Sequence, residues 1–133
     1  MAPRIRPALA ACISICVFAS ATASAQGGDP ARGERVFQRC FACHSVDPKE
    51  TAKLRGPSLY RILGRPAGRI QGFDYSPALL DRARAGLVWD QATLDAYLAD
   101  PEAIVSGTRM SIPPMRDARE RADLIAFLAS GAH

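Results

Sequence analysis

The chain has 133 residues, of which 17 are basic and 13 acidic, so its formal net charge is +4. A chain of this length forms one small domain and not two. No basic run interleaved with aromatic residues is present, and the composition therefore argues against a nucleic-acid-binding function.

The first 25 residues have the pattern of a secretory signal peptide. A start with two arginines is followed by an apolar run and by the small residues Ala23-Ser24-Ala25, which a signal peptidase prefers. A retained membrane anchor is the alternative, but polar residues interrupt the run and the cleavage site follows at once. We predict a cleaved leader of residues 1–25 and an exported mature domain of residues 26–133 without a membrane span. The two arginines leave with the leader, so the mature net charge is +2.

The pattern turns helical at Asp29, an N-cap residue followed by Pro30 at the first helical position. Val36 and Phe37 give this helix an apolar side, and Gly33 lies one turn before Phe37 on that side. Because a Gly inside a helix costs about 1 kcal/mol relative to Ala, we expect this one to permit a close crossing with another helix. A tolerated Gly near a frayed start is the alternative.

The rest of the chain predicts further short helices joined by long loops. Capping residues and apolar periodicity place a helical turn over residues 58–63, a helix from Ser76-Pro77 to about Arg84, one between Asp90 and Asp100-Pro101, and a last one between Asp117 and Gly131. Residues 101–116 are punctuated by Pro and Gly, which predicts a loop. No segment alternates at period two for long enough to form a strand, so the predicted fold class is all-α.

The stretch Cys40-Phe41-Ala42-Cys43-His44 is the motif that carries chemistry. Two thiols three residues apart with an imidazole directly after the second have the spacing of a c-type haem attachment. Cys40 and Cys43 can form thioethers to the haem vinyl groups, and His44 can then bind the iron from one face.

A zinc site and a dithiol redox site share the CxxC spacing. Zinc lacks ligands, because only the terminal histidine outside the motif could add a nitrogen to the two thiols and the motif imidazole. A dithiol oxidoreductase of the thioredoxin type is harder to exclude, since an exported protein could use such a site. That fold needs strands and a βαβ crossover, which the pattern does not show.

A haem iron held by one histidine is either open or closed by a second side chain. The mature chain offers Met110, Met115 and His133, and the last is a weak candidate because chain ends are poorly ordered. Both methionines lie in an irregular loop, where helical core packing does not explain them. The small, hydrogen-bonding neighbours in Gly107-Thr108-Arg109-Met110 favour Met110, whereas Met115 follows two prolines and nearly abuts the last helix.

The mature chain resembles a class I cytochrome c, close to mitochondrial cytochrome c and its small soluble bacterial relatives. The matching segments are Gly28-Asp29, Gly33 with Phe37, the CxxCH motif, Gly56-Pro57-Ser58-Leu59, Gly64-Arg65, Phe73-Asp74-Tyr75, Trp89, residues 93–98, residues 107–110 and residues 123–128. The resemblance implies short helices and long loops wrapped around one covalently attached haem c, with the first and last helices crossing. It also implies a one-electron carrier and not an enzyme.

By this resemblance His44 and Met110 are the axial ligands of the haem iron, and Cys40 and Cys43 hold the haem covalently. The carbonyl of Pro57 would accept a hydrogen bond from the axial imidazole and so orient the ring. The other implied haem-pocket residues are Arg65, Tyr75 and Trp89 as partners of the propionates, and Tyr97 and Thr108 beside the methionine sulfur. For the two aromatic propionate partners, ordinary core packing is the alternative.

The resemblance is incomplete in three places. Leu79 stands where mitochondrial members have an asparagine tied to internal water, and the stretch between Tyr75 and Trp89 is a few residues longer. The ring of lysines around the exposed haem edge is mostly absent. Four arginines could supply point charges in its place: Arg39, Arg55, Arg109 and Arg116.

The implied role is a monomeric periplasmic carrier that docks briefly with redox proteins. The donor would resemble a quinol:cytochrome c reductase, and the other partners would be a terminal oxidase, a photosynthetic centre or a dehydrogenase. A dedicated cytochrome c subunit of a periplasmic dehydrogenase or other redox complex is the alternative. A haem enzyme or gas sensor with a labile methionine ligand is a further one.

Overall fold

The structure, a computed structural model, describes residues 27–131, which form five helices and one short strand pair. In chain order these are α1 (Pro30–Phe37), β1 (Arg65–Pro66), α2 (Pro77–Arg84), β2 (Val88–Trp89), α3 (Gln91–Ala99), α4 (Pro101–Ile104) and α5 (Ala118–Ser130). The predicted leader and His133 lie outside the described residues. No helix in this described part is long and apolar enough to cross a membrane.

Each of the five helices begins with a side-chain cap. The capping residues are Asp29 for α1, Ser76 for α2, Asp90 for α3, Asp100 for α4 and Asp117 for α5. In every case the side-chain oxygen accepts from a backbone N–H of the first turn, a donor that has no partner within the helix. The predicted starts of α1, α2, α3 and α5 are therefore confirmed.

The first and last helices cross at a glycine and form the most extensive contact between elements. A Cβ on Gly33 would overlap the carbonyl oxygen of Asp123 and lie 2.7 Å from the Cβ of Phe127. The two backbones can approach this closely only because residue 33 has no side chain. Phe37 packs against Phe127 with ring centroids 5.4 Å apart. The close crossing predicted from Gly33 is confirmed.

A buried carboxylate joins the same two helices. Asp123 of α5 is 4% exposed and accepts a hydrogen bond of 2.7 Å from the backbone N–H of Asp29, the cap of α1. It also accepts 2.7 Å and 2.9 Å bonds from the guanidinium of Arg32. The bond from Arg32, together with that from Asp29, lowers the pKa of Asp123 to about 2. The carboxylate is therefore ionised across the ordinary pH range.

Three details of local structure differ from the expectations. Residues 58–63 form turns and not a helical segment, because the backbone of Arg61 is left-handed, with a φ of 50°. The predicted loop of residues 101–116 begins with α4, since Asp100 both ends α3 and caps a further turn. Two strands also form. They are antiparallel and two residues long, too short for period-two patterning to reveal.

Candidate haem site

His44 is held in one orientation by the loop that follows the CxxCH motif. Its Nδ1 lies 2.7 Å from the carbonyl oxygen of Pro57, so the Nδ1–H donates to that carbonyl. Burial lowers the pKa of His44, and the bond to Pro57 acts in the opposite direction. The imidazole is therefore neutral near pH 7 with its Nε2 lone pair available to a metal ion.

The backbone of Gly56 packs against one side of this imidazole. A Cβ at position 56 would lie 2.6 Å from Nδ1 of His44 and closer still to Cε1. The N–H of Gly56 donates to the carbonyl of Cys43 over 2.8 Å, which ties the loop to the motif itself. The ring is thus positioned by backbone groups on two sides.

The two cysteines lie on a hydrogen-bonded turn directly after α1. The backbone N–H groups of Cys43 and His44 both donate to the carbonyl of Cys40, at 3.0 Å and 2.9 Å. Both thiols are free and partly buried. Burial raises the pKa of the Cys40 thiol, which is opposite to the lowered pKa of a reactive oxidoreductase thiol. The environment suits covalent attachment to a bound group better than dithiol exchange.

The two candidate methionines occupy different environments. Met115 is 8% exposed and packs within the core, and its N–H donates to the carbonyl of Leu98 over 2.9 Å. Met110 is only partly buried and packs against the edge of that core. Core packing therefore accounts for Met115 but not fully for Met110.

A short chain of hydroxyl groups holds the Met110 loop. The hydroxyls of Tyr97 and Thr108 lie 2.8 Å apart, and Thr108 Oγ1 accepts a 3.2 Å bond from the N–H of Met110. Burial raises the pKa of Tyr97, with the Thr108 bond acting against it, so the phenol stays protonated near pH 7. The structure brings these three predicted residues together, and the axial role of Met110 stays a prediction.

Two of the three predicted propionate partners, Arg65 and Trp89, face each other in the strand pair. Arg65 of β1 pairs in register with Trp89 of β2. The Arg65 guanidinium donates to the carbonyls of Ser58 at 2.7 Å and Tyr60 at 3.0 Å, and burial lowers its pKa. The Tyr75 hydroxyl accepts a 3.1 Å bond from a backbone N–H, which leaves its proton free to donate elsewhere.

The buried indole N–H of Trp89 indicates that a group outside the protein chain supplies its hydrogen-bond acceptor. Trp89 is 8% exposed and packs against Tyr97 with ring centroids 5.0 Å apart. Within residues 27–131 its indole N–H has no hydrogen-bond partner. A buried donor without an acceptor costs about 1–3 kcal/mol, so a buried carboxylate of a bound cofactor would fit this position.

The structure shows how the chain packs at Leu79, one of the positions where it departs from the resemblance. Leu79 is partly buried and packs against the core, as an apolar side chain should.

Of the four candidate substitutes for the lysine ring, two already have acidic partners. Arg39 pairs with Glu120 at 2.8 Å, and Arg109 pairs with Asp74 at 3.2 Å. Both of these ion pairs are exposed to solvent, so each stabilises the fold only weakly.

Several contributions to the site were not predicted from the sequence. They are the close packing of Gly56 on the imidazole, the Ser58 and Tyr60 carbonyls that hold Arg65, and the distant link from Arg32 to Asp123. The contributions of Gly56, Ser58 and Tyr60 come from backbone atoms, so residue type contains no signal for them. An Arg and an Asp 91 positions apart likewise give no indication of pairing.

The cytochrome c family model matches residues 30–132. The chain belongs to the cytochrome c family. Cytochrome c2 of Rhodomicrobium vannielii is 47% identical over 104 residues, which cover 77% of this chain and 79% of that protein. Cytochrome c 2.1 of Caenorhabditis elegans is 42% identical over 102 residues, 76% of this chain and 87% of the relative.

Solved cytochrome structures have the same fold. Cytochrome c2 from Rhodospirillum centenum superposes with a TM-score of 0.71 at 36% identity, covering 77% of this chain and 97% of that one. Cytochrome cH from Methylobacterium extorquens gives a TM-score of 0.67 at 39% identity, covering 77% and 99%. The all-α class I cytochrome c fold is therefore confirmed.

Family membership makes the protein an electron carrier with a covalently attached haem c, and not an enzyme. The structure fits this cofactor in three ways. His44 presents a free Nε2, Cys40 and Cys43 have free thiols, and the buried indole of Trp89 lacks a protein acceptor. This set of nitrogen, sulfur and hydrogen-bond donors matches the needs of a c-type haem.

Proposed function

We propose that the protein is a free periplasmic one-electron carrier with His44 and Met110 as axial ligands and Cys40 and Cys43 as haem attachment points. When bound, the haem supplies a reversible one-electron couple at iron. The observation that supports this most directly is the bond from His44 Nδ1–H to the Pro57 carbonyl, because it leaves Nε2 for the metal. Two side-chain ligands leave no open position for a substrate, which suits electron transfer.

The surrounding residues hold these groups in place and set the preferred redox state. Pro57 makes the imidazole more basic, and the hydroxyls of Tyr97 and Thr108 restrain the loop that presents Met110. A neutral thioether favours the ferrous state, as does a buried setting. Arg65, Tyr75 and Trp89 donate to the propionates in this proposal, and these donors offset the cost of burying carboxylates.

Replacing each methionine by alanine tests the ligand assignment. Met110→Ala is expected to keep the haem attached but to lose the methionine–iron charge-transfer band in the far red. Met115→Ala is expected to keep the band and to lower the free energy of unfolding by about 2–5 kcal/mol, the usual range for a buried methionine. Absorption spectra and guanidinium unfolding curves measure the two effects. A band that survives Met110→Ala and disappears in Met115→Ala would reverse the assignment.

We propose export with removal of residues 1–25. The support is the leader pattern, in which an apolar run precedes the small residues at the cleavage site. Mass spectrometry of the periplasmic protein is expected to give the mass of residues 26–133 plus one haem. Recovery of the full-length chain in the membrane fraction would instead show that the leader is retained as an anchor.

The proposed partners are a quinol:cytochrome c reductase-like donor and a terminal oxidase, photosynthetic centre or dehydrogenase. Brief docking to more than one partner requires that the carrier be free and monomeric. Gel filtration of the native periplasmic fraction is expected to elute the haem protein at the size of one chain. Elution in a stable large complex would make it a dedicated subunit of that complex.

A further inference from the structure

Arg121 of α5 is the most buried of the arginines that form ion pairs in residues 27–131. Its side chain is 12% exposed, whereas those of the other four are 40% to 70% exposed. Its Nε and Nη2 donate to the two carboxylate oxygens of Asp95 on α3, at 2.7 Å and 3.4 Å. Its Nη1 donates to the carbonyls of Met115 at 2.6 Å and Arg116 at 3.2 Å. The guanidinium therefore joins α5 both to α3 and to the end of the loop that contains Met110.

This loop has few other polar attachments to the protein. Within the described part of the chain residues 111–114 form no hydrogen bond, and two of the four are prolines, which have no N–H to donate. Ile112 packs against the edge of the core. The loop is bonded on one side at the N–H of Met110 and on the other at Met115, whose N–H donates to α3 and whose carbonyl accepts from Arg121.

The geometry at Arg121 uses properties that are specific to arginine. A guanidinium is planar and presents its N–H groups in fixed directions. Because Asp95 accepts from one edge with both carboxylate oxygens, the remaining Nη1 is directed at the two loop carbonyls. Hydrogen bonds from a charged donor are stronger than those between neutral groups, and burial of the side chain keeps water from replacing them.

We propose that Arg121 is a positioning residue for Met110, because it fixes the far end of the loop, and that Asp95 orients its guanidinium. This rests on the proposed function, since it takes Met110 as an axial ligand of the haem iron. A loop that is bonded on both sides leaves the thioether little freedom to move away. Without Arg121, the end at Met115 is attached only by one backbone bond to α3 and by packing, so the thioether leaves its ligand position more often.

The first test measures how readily added imidazole displaces the methionine ligand of the ferric haem protein. Imidazole binds only when the ligand position is open, so its apparent dissociation constant falls as the open fraction rises. Loss of the far-red charge-transfer band reports the binding. Arg121→Ala is expected to lower this constant about tenfold or more. Arg121→Lys should lower it as well, because an ammonium group lacks the planar fork, and Asp95→Asn should have a smaller effect in the same direction.

Arg32→Ala is the matched control, because it removes an arginine that joins α5 to α1 and not to the loop. It should lower the guanidinium unfolding midpoint but leave the imidazole affinity at the wild-type value. An equal change of affinity in Arg32→Ala and Arg121→Ala would show that overall stability controls the ligand, and it would overturn the positioning role. A wild-type affinity in Arg121→Ala would do the same. If Arg121→Ala does not fold, Arg121→Lys and Asp95→Asn provide the comparison.

The second test measures hydrogen exchange in the haem protein and does not depend on the identity of the iron ligand. The N–H of Met115 should lose most of its protection in Arg121→Ala, while that of Gly33, which donates to the carbonyl of Asp29 in α1, should keep it. Unchanged protection at Met115 would overturn the role of Arg121 alone. A far-red band that survives Met110→Ala would overturn the ligand assignment, and the positioning role with it.

Discussion

The candidate iron ligand His44 owes its position to backbone atoms. The carbonyl of Pro57 accepts its Nδ1–H, and Gly56 packs against the ring with no space for a side chain. Arg65 is held in the same way, by the carbonyls of Ser58 and Tyr60. Because residues 56–60 provide all four groups, one short loop orients both the His44 imidazole and a cationic residue of the proposed propionate site.

Gly56→Ala is expected to displace the His44 imidazole from the Pro57 carbonyl. A new Cβ would overlap the ring, and overpacking of this kind typically costs about 1–3 kcal/mol. Thermal unfolding of the haem protein measures the loss, and a shift in the ferric electron paramagnetic resonance spectrum would report the altered histidine. Gly27→Ala is the control, because a Cβ there meets no atom within 4 Å. Equal stability and an unchanged spectrum for Gly56→Ala would contradict the prediction.

The crossing of α1 and α5 joins the two ends of the described chain. Gly33 brings the helix backbones together, and the rings of Phe37 and Phe127 pack beside that contact. The haem motif begins three residues after α1, so the crossing also determines where the Cys40–Cys43 turn lies relative to the core. Gly33 therefore affects the position of the haem motif as well as the packing of the two helices.

The Gly33→Ala substitution tests whether the close crossing of α1 and α5 outweighs the helix propensity of Ala in the free energy of unfolding. Ala is favoured over Gly in a helix by about 1 kcal/mol, so the change would stabilise an isolated α1. In the protein the new Cβ would overlap the Asp123 carbonyl, and the cost of separating the helices should exceed that gain. Guanidinium unfolding is expected to show a lower midpoint. Glu34→Ala, at an exposed position of the same helix, should leave the midpoint nearly unchanged.

At the scale of the whole molecule, charged groups distant in sequence determine both stability and the character of the surface. Asp123 accepts a bond from the N–H of Asp29, 94 positions earlier, and an ion pair from Arg32. Arg39 is likewise paired with Glu120 across 81 positions. The first pair holds the ends of the fold together, and the second places a carboxylate beside the arginine that precedes the haem motif.

The depressed pKa of Asp123 predicts a specific loss of stability in acid. Its folded pKa of about 2 is below the usual value of about 3.9 for an unfolded Asp, so it stabilises the fold fully above about pH 4. This contribution is lost as the pH falls through the folded pKa. Asp123→Asn is therefore expected to lower the urea unfolding midpoint at pH 7, with the difference shrinking towards about pH 2.

Asp47→Asn is the control for that measurement, because it removes the same charge from an exposed loop. Its midpoint should follow that of the wild type across the pH range. A difference between the wild type and Asp123→Asn that stays constant with pH would show that packing, and not ionisation, accounts for the effect of residue 123.

The sequence predicted the features that depend on neighbouring residues. Asp29, Ser76, Asp90 and Asp117 cap helices where expected, since an N-cap interacts only with the turn that follows it. The prediction of a loop directly after α3 was wrong, because Asp100 both ends α3 and caps α4. The helical turn predicted for residues 58–63 was also wrong, because Arg61 adopts a left-handed backbone that residue type does not reveal.

The CxxCH motif, the caps and the helix-crossing glycine could be read from the chain alone, because each is a short pattern with a local physical cause. The tertiary structure alone decided that Met115 lies in the core, that Gly56 packs on the His44 imidazole, and that Arg39 pairs with Glu120. The reason is that packing and ion pairing depend on distances in space. Residues far apart in the sequence come close only through the path of the folded chain.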